Sequence, residues 1–298
     1  MAKASAETCE PVEAGGTTIV TAKRIARFAP QANAKITGAI LAKWASAIQA
    51  QIVTPLRIQH FFATIATETN GLRRLDENLG YSADRLLAVF PTRVNRQQAL
   101  ALHMRPIDIA NFVYGGRLGN AKPNDGWDFR GSGYIQLTGR DNFTRVGKEL
   151  SLDLASNPDL VRDPEVGFAA ATTFWSVRKI NPLADKNDIG GLRKAVNGGT
   201  NGLASAKIFF ARAKSVFLSE PTEAGEVGSA NQAEFEGVKL RLEELGYLVR
   251  SPEEGFSAQQ VTRALATFQG DYGIPATGVY DDDTLGALTD PMLDIHQL

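Results

Sequence analysis

Apolar residues recur at spacings of three and four over residues 21–29, 36–53, 58–69, 165–178 and 203–217, the period of helices that bury one face. The clearest case is RIQHFFATIATETNG. There Ile58, Phe61, Phe62, Ile65 and Ala66 form one stripe, and Asn70-Gly71 supplies a stop. A second helical pattern lies near the C-terminus. Val238, Arg241, Leu242 and Leu245 keep helical spacing up to Gly246, and Ser257 is placed to cap a helix carrying Val261, Ala264, Leu265 and Phe268. Residues 112–144 break the periodicity. FVYGGRLGNAKPNDGWDFRGSGYIQLTGRDNF is rich in Gly, Asn, Asp and aromatics, which inside a helical domain marks a site or a small hairpin. The pattern predicts a mainly α protein: a helical domain with a small β-hairpin or irregular region, then a small module of three short helices.

Composition adds a boundary. Between Phe217 and Phe235 the chain reads SEPTEAGEVGSANQAE, which has almost nothing large and apolar to bury and reads as a linker. The expected domains are residues 1–218 and 233–298, joined by a linker at 219–232. Charge divides the chain at the same place, with residues 1–218 at +10 and residues 219–298 at −11. A basic block of that size attracts polyanions, so nucleic acid, an anionic membrane surface and an anionic cell-wall polymer are candidates. The basic residues stand singly and form no Lys/Arg-rich run, which argues against nucleic acid.

Other classes fall away on specific grounds. No run of about 18 apolar residues could span a bilayer, and MAKASAETCEPVEAG lacks the apolar stretch of a signal peptide. No membrane insertion is expected. Cys9 is the only cysteine and cannot close an intrachain disulfide. His60, His103 and His296 are too far apart for a zinc site, and no Gly-rich phosphate loop with a following Lys occurs.

The chemistry rests on carboxylates. Glu68 lies on the apolar stripe of its helix, three residues after Ile65, where contact with apolar surface would raise its pKa and keep a proton available for general acid work. It could equally cap its own helix region or pair with a buried Arg. Asp76 and Glu77 follow in LRRLDENLGYSADRLL, on a loop before a helix that Ser82 would cap. One carboxyl buried on a helix and one on a wet loop suggest the acid and base of glycosidic hydrolysis. Glu77 could also be a solvated loop charge, or pair with Arg73 or Arg74.

The segments TPLRIQHFFATIATETNG, LDENLGYSADRLLAVFPTR, IANFVYGGRLGN, DGWDFRGSGYIQLTGRDNF, NPDLVRDPEVGFAAATTFW and AVNGGTNGL occur in that order. Together they make residues 18–217 resemble glycoside hydrolase family 19, the chitinase-like and lysozyme-like α-helical fold, and its phage and bacterial endolysin branch in particular. The tail resembles a peptidoglycan-binding module, with Glu254-Gly255-Phe256-Ser257 where that module usually carries Asp-Gly-x-Phe-Gly. The resemblance implies an inverting hydrolase with Glu68 as general acid and Glu77 as general base, about 6.5 to 9.5 Å apart to leave room for a water. It also implies Thr138 beside that water, with Gln136, Asn142 and Asn197 hydrogen-bonding the sugar. Many relatives carry His before the acidic Glu and a second Gly after it; here those places hold Thr67 and Asn70. Trp127, Tyr134 and Tyr114 could stack on sugar faces, though packing is the commoner use of aromatics in such a region. Asn197-Gly198-Gly199 also reads as a plain helix-ending turn.

Three functions follow. The first is an endolysin-type muramidase cutting the β-1,4 bond between N-acetylmuramic acid and N-acetylglucosamine of bacterial cell-wall peptidoglycan. It would be a monomer without cofactor, made in the host cytoplasm and reaching the wall through a membrane pore. The second is a chitinase, and the third a non-catalytic wall-binding protein. The −11 tail would be repelled by an anionic wall, so its binding must rest on a groove or on association with the basic front.

Overall fold

In the computed structural model, which describes residues 19–218, 225–249 and 255–290, short polar side chains open most helices. Thr21 caps α1 (Ala22–Phe28) and Asn33 caps α2 (Ala34–Ala42), each accepting from a first-turn N–H. The periodicity over 36–53 predicts one helix, but the chain breaks at Lys43 and restarts as α3 (Trp44–Gln49). The break lays the Trp44 ring on Phe62, with centroids 5.8 Å apart. α4 (Pro55–Glu68) starts at Thr54 with proline at its first position.

α4 is buried on every side from Ile58 to Glu68, although its sequence shows one apolar stripe. The other faces can be covered because their polar groups find partners. Gln59 donates to the Phe217 carbonyl at 2.8 Å, and His60 Nε2 lies 2.9 Å from Asn187 Oδ1. The Thr64 and Thr67 hydroxyls donate to carbonyls one turn back, at 2.9 and 2.7 Å.

α5 (Ala83–Val89), capped by Ser82 as expected, α6 (Arg96–Leu102) and α7 (Pro106–Tyr114) pack around a separate apolar cluster that includes Leu86, Phe90, Ile109 and Val113. α8 (Asp125–Asp128) crosses α7 at Gly126, where a Cβ would lie 2.5 Å from the Ala110 carbonyl oxygen. α9 (Arg140–Leu150), α10 (Pro164–Val177), α11 (Asn181–Asp185), α12 (Ile189–Asn197) and α13 (Leu203–Val216) complete the main core around α4.

Residues 112–144 hold no strand. The β pairing here consists of isolated bridges, Asp76 with Ser132 and Ser132 with Leu137. The Glu77 N–H donates to the Gly131 carbonyl at 3.0 Å and the Gly133 N–H to Leu75 at 2.6 Å, so the loop after α4 is tied to this irregular region.

The tail contributes α14 (Gly225–Glu244), α15 (Ala258–Asp271) and α16 (Asp282–Leu288). Residues 225–232, expected within the linker, are the first turns of α14: once later turns are anchored by Val238 and Leu242, extending the helix needs no large apolar side chain. Residues 219–224, the first fifteen residues with Cys9, Glu254 and His296 lie outside the described residues. Ser257 opens α15 with a reciprocal Gln260 contact, and Gly246 sits at φ 80 just past α14, both where the sequence puts them. α14 runs close along α13, and a Cβ at Gly237 would lie 2.7 Å from Ile208 Cγ1. The apolar interior continues from Phe209 into Val238, Leu265 and Leu285 without a gap. No described helix is long and apolar enough to cross a membrane.

Candidate active site

Glu68 ends α4 and is buried, and its carboxylate forms an ion pair with the buried Arg193 of α12. Of the readings open for Glu68, the structure takes the buried Arg, which corrects the expectation of a carboxyl lying against apolar surface alone. Arg193 is itself anchored, because its Nε donates to the Asn201 carbonyl. Asn197 Nδ2 donates to the same carbonyl at 2.7 Å, while its Oδ1 accepts from the Gly199 N–H at 2.9 Å. The exposed Asn197 side chain therefore shapes the turn that places Arg193, and reaches Glu68 only through that arginine.

Glu77 departs from expectation more sharply. It comes from a loop, yet only 8% of it is exposed. The Tyr114 hydroxyl donates to its Oε1 at 2.7 Å and the Gly131 N–H to its Oε2 at 3.3 Å. Burial pushes its pKa up to about 7, against the opposing pull of Tyr114, Gly131, Arg130 and Arg74. The Tyr114 phenol is pushed well above its ordinary value by burial and by Glu77, so it remains a donor. Thus Glu77, assigned to a wet loop, is the carboxyl that holds a proton near neutrality. Its expected partners point elsewhere: Arg74 pairs with Asp290 at 2.9 Å, and Arg73 donates to the Asp282 carbonyl at 3.3 Å. Asp76 stays half exposed, 3.9 Å from Arg130.

Gln136 lies on the Glu77 side, and Thr138 and Asn142 are linked to it by hydrogen bonds along the chain. A Cβ at Gly131 would run into the Gln136 side-chain oxygen and lie 3.3 Å from Glu77 Oε2, so the glycine lets both side chains close over one point. Gln136 sits at φ 48, in backbone space that favours glycine, held by the paired Ser132 and Leu137 on either side. Thr138 Oγ1 donates to the Gln136 carbonyl at 2.9 Å; Asn142 Nδ2 donates to the Thr138 carbonyl at 2.7 Å and its Oδ1 accepts from Arg145. The aromatics divide. Tyr134 is fully buried and donates to the Ile36 carbonyl at 3.2 Å, Tyr114 serves Glu77, and one face of Trp127 is covered by the Arg130 guanidinium 3.7 Å away.

Sequence reasoning missed Arg193, although a signal existed: it sits on the apolar stripe of Ile189, Leu192 and Val196, as Glu68 sits on its own stripe. Among the described residues, no group of three or more His, Cys, Asp or Glu is arranged to hold a metal. The arrangement offers two buried carboxyls at the two ends of loop 69–76, one ion-paired and one protonating near neutrality, with the Tyr114 phenol and the Gln136 amide beside the second. These are the components of general acid–base hydrolysis.

The family described as “Chitinase class I” matches residues 114–196, and that described as “Putative peptidoglycan binding domain” matches residues 231–288. A Haemophilus influenzae protein named “Glycosyl hydrolase family 19 domain-containing protein” is 33% identical over 168 residues, covering 53% of this chain and 80% of its own. An endochitinase of Arabidopsis thaliana is 39% identical over 75 residues, 25% of this chain and 26% of its own, so this chain spans about a quarter of that plant relative. The crystal structure of chitinase C from Streptomyces griseus HUT6037 superposes with a TM-score of 0.48 at 21% identity, covering 71% of this chain and 82% of that one.

Proposed function

The chain belongs to glycosyl hydrolase family 19, and from that premise we propose that it hydrolyses the β-1,4 bond between N-acetylmuramic acid and N-acetylglucosamine in peptidoglycan, with inversion. The observation that carries this choice of polymer is the peptidoglycan-binding match over residues 231–288 on the same chain as the two buried carboxyls. In this reading the sugar displaces Glu68 from Arg193, the freed carboxylate takes up a proton from solvent, and Glu68 passes that proton to the leaving oxygen. Glu77 takes the proton of the attacking water. A carboxylate whose pKa lies near 7 is a stronger base than an ordinary one and is still ionised in good part at neutral pH. Activity then falls as pH drops below about 7. Gln136 stands across Gly131 from the base, and in this reading it serves the sugar while Thr138 serves the water.

A second reading, hydrolysis of chitin, is favoured by the endochitinase relatives. Digestion of purified peptidoglycan and colloidal chitin by the wild type and Glu68→Gln, with mass spectrometry of the new ends, decides between them. Reducing N-acetylmuramic acid ends that vanish in the variant support the muramidase; chitin oligomers alone make it a chitinase. No product from either polymer leaves a wall-binding protein without turnover. The endolysin context belongs to the same proposal: expression in a bacterial cytoplasm should lyse cells only when a pore-forming protein is co-expressed.

A further inference from the structure

The C-terminal module sits directly on the loop that joins the two carboxyls. Asn70, at φ 51, accepts from the Thr289 hydroxyl at 3.3 Å. The Arg73 guanidinium occupies the space over Gly286, where a Cβ would collide with it, and donates to the Asp282 carbonyl at 3.3 Å. Arg74 pairs with Asp290 at 2.9 Å. Past Glu77, Arg85 of α5 donates to the Tyr272 hydroxyl at 2.9 Å. On the far side Arg212 of α13 pairs with both Glu234 and Asp282, at 3.3 and 2.8 Å.

A targeting domain needs none of these contacts. A tether raises local concentration at the wall and leaves turnover of a soluble glycan unchanged. A brace acts differently: it fixes the loop that positions Glu77, and an error of about 1 Å in a reacting group costs about a hundredfold in rate. The module can serve as a brace because its apolar interior is continuous with that of α13. The buried Tyr81 phenol is pushed well above its ordinary value by burial, by Glu77 and by Asp290, so it stands near both the base and the module.

We propose that the C-terminal module is a working part of the active site, with Asp290 and Arg74 as positioning residues that hold loop 69–77, and with it Glu77, in place. This rests on the hydrolytic roles of Glu68 and Glu77 and is independent of which polymer is cut.

The test uses the full chain on two soluble probes, peptidoglycan glycan strands freed of stem peptide and the N-acetylglucosamine hexamer. Asp290→Arg and Arg74→Glu should each lower kcat about tenfold or more with little change in KM, and the swapped pair should recover most of that loss. Asp290→Asn, nearly isosteric, serves if the charge reversals fail to fold. The groups facing Glu77 are Tyr114, the Gly131 N–H, Arg130, Arg74 and Tyr81. Removing the Asp290 charge leaves Arg74 less neutralised, which favours the ionised Glu77, so the acid limb of kcat/KM should move to lower pH in Asp290→Asn; Arg74→Glu, which removes the cation, should move it to higher pH, whereas loosened packing, by hydrating Glu77, would lower it in both. Amide exchange across 69–77 should quicken in each single variant while α4 is unchanged. Wild-type kcat together with wild-type exchange in Asp290→Arg overturns the proposal, as does a loss that the swap does not recover with exchange across 69–77 unaltered. If the wild type cuts neither probe, the hydrolytic reading falls, and the exchange measurement alone decides whether the module braces the loop.

Discussion

Burial raises the pKa of Glu77 from an ordinary 4.5 to about 7, so the folded chain binds that proton more tightly than the unfolded chain does. The stability this supplies is fully present below about 4.5 and is lost as pH rises through about 7. Glu77→Gln keeps an acceptor for Tyr114 but has no charge to bury. It should match the wild type near pH 4 and exceed it near pH 8 by on the order of 3 kcal/mol, while losing turnover. Thermal unfolding against pH checks this, and parallel curves for the two proteins would count against it. Arg193 works in the opposite sense: Arg193→Met leaves the Glu68 carboxylate buried without its cation and should cost about 3–5 kcal/mol in urea unfolding. Adding Glu68→Gln should restore part of that loss. Both ends of this ion pair were legible as charged residues on apolar stripes, but nothing local says that stripes 125 positions apart face each other. The burial of Glu77 was not legible, because the groups that enclose it, Tyr114 and Gly131, lie 37 and 54 positions away.

At the level of elements, spacing and caps located α1, α4, α10, α13 and α15 to within a few residues, because a helix is specified by neighbours three and four positions apart. The hairpin allowed for residues 112–144 is absent because part of the pairing comes from residues 75–77, outside the stretch. The α7–α8 crossing is likewise a contact between elements, and it has a functional reading: α7 carries Tyr114. Gly126→Ala would press a methyl against Ala110 and Asn111 backbone atoms at 2.5 and 2.6 Å, which no side-chain rotation relieves. The variant should lose about 1–3 kcal/mol of stability. Its turnover should fall as well, since the donor to Glu77 moves with α7, and unchanged kcat at reduced stability would separate that crossing from the site.

At the scale of the whole molecule, the +10 and −11 halves meet through Arg74, Arg212 and their acidic partners, and the apolar interior crosses the expected boundary near residue 218. Front and tail should therefore unfold together: calorimetry of the full chain should show one transition with matching calorimetric and van't Hoff enthalpies. Two resolved transitions would mean that the module is an independent unit. The sequence by itself determined the mainly α class, the caps at Ser82 and Ser257 and the span of the strongly periodic helices, the charge division and the presence of Glu68 and Glu77, because spacing, capping and composition act over a few residues. Only the tertiary structure decided that Glu77 is buried on Tyr114, that Glu68 is paired with Arg193 and that the acidic tail rests on the loop between the two carboxyls. Those contacts join residues 37, 125 and 216 positions apart, and burial and charge pairing exist only once the chain has brought such residues together.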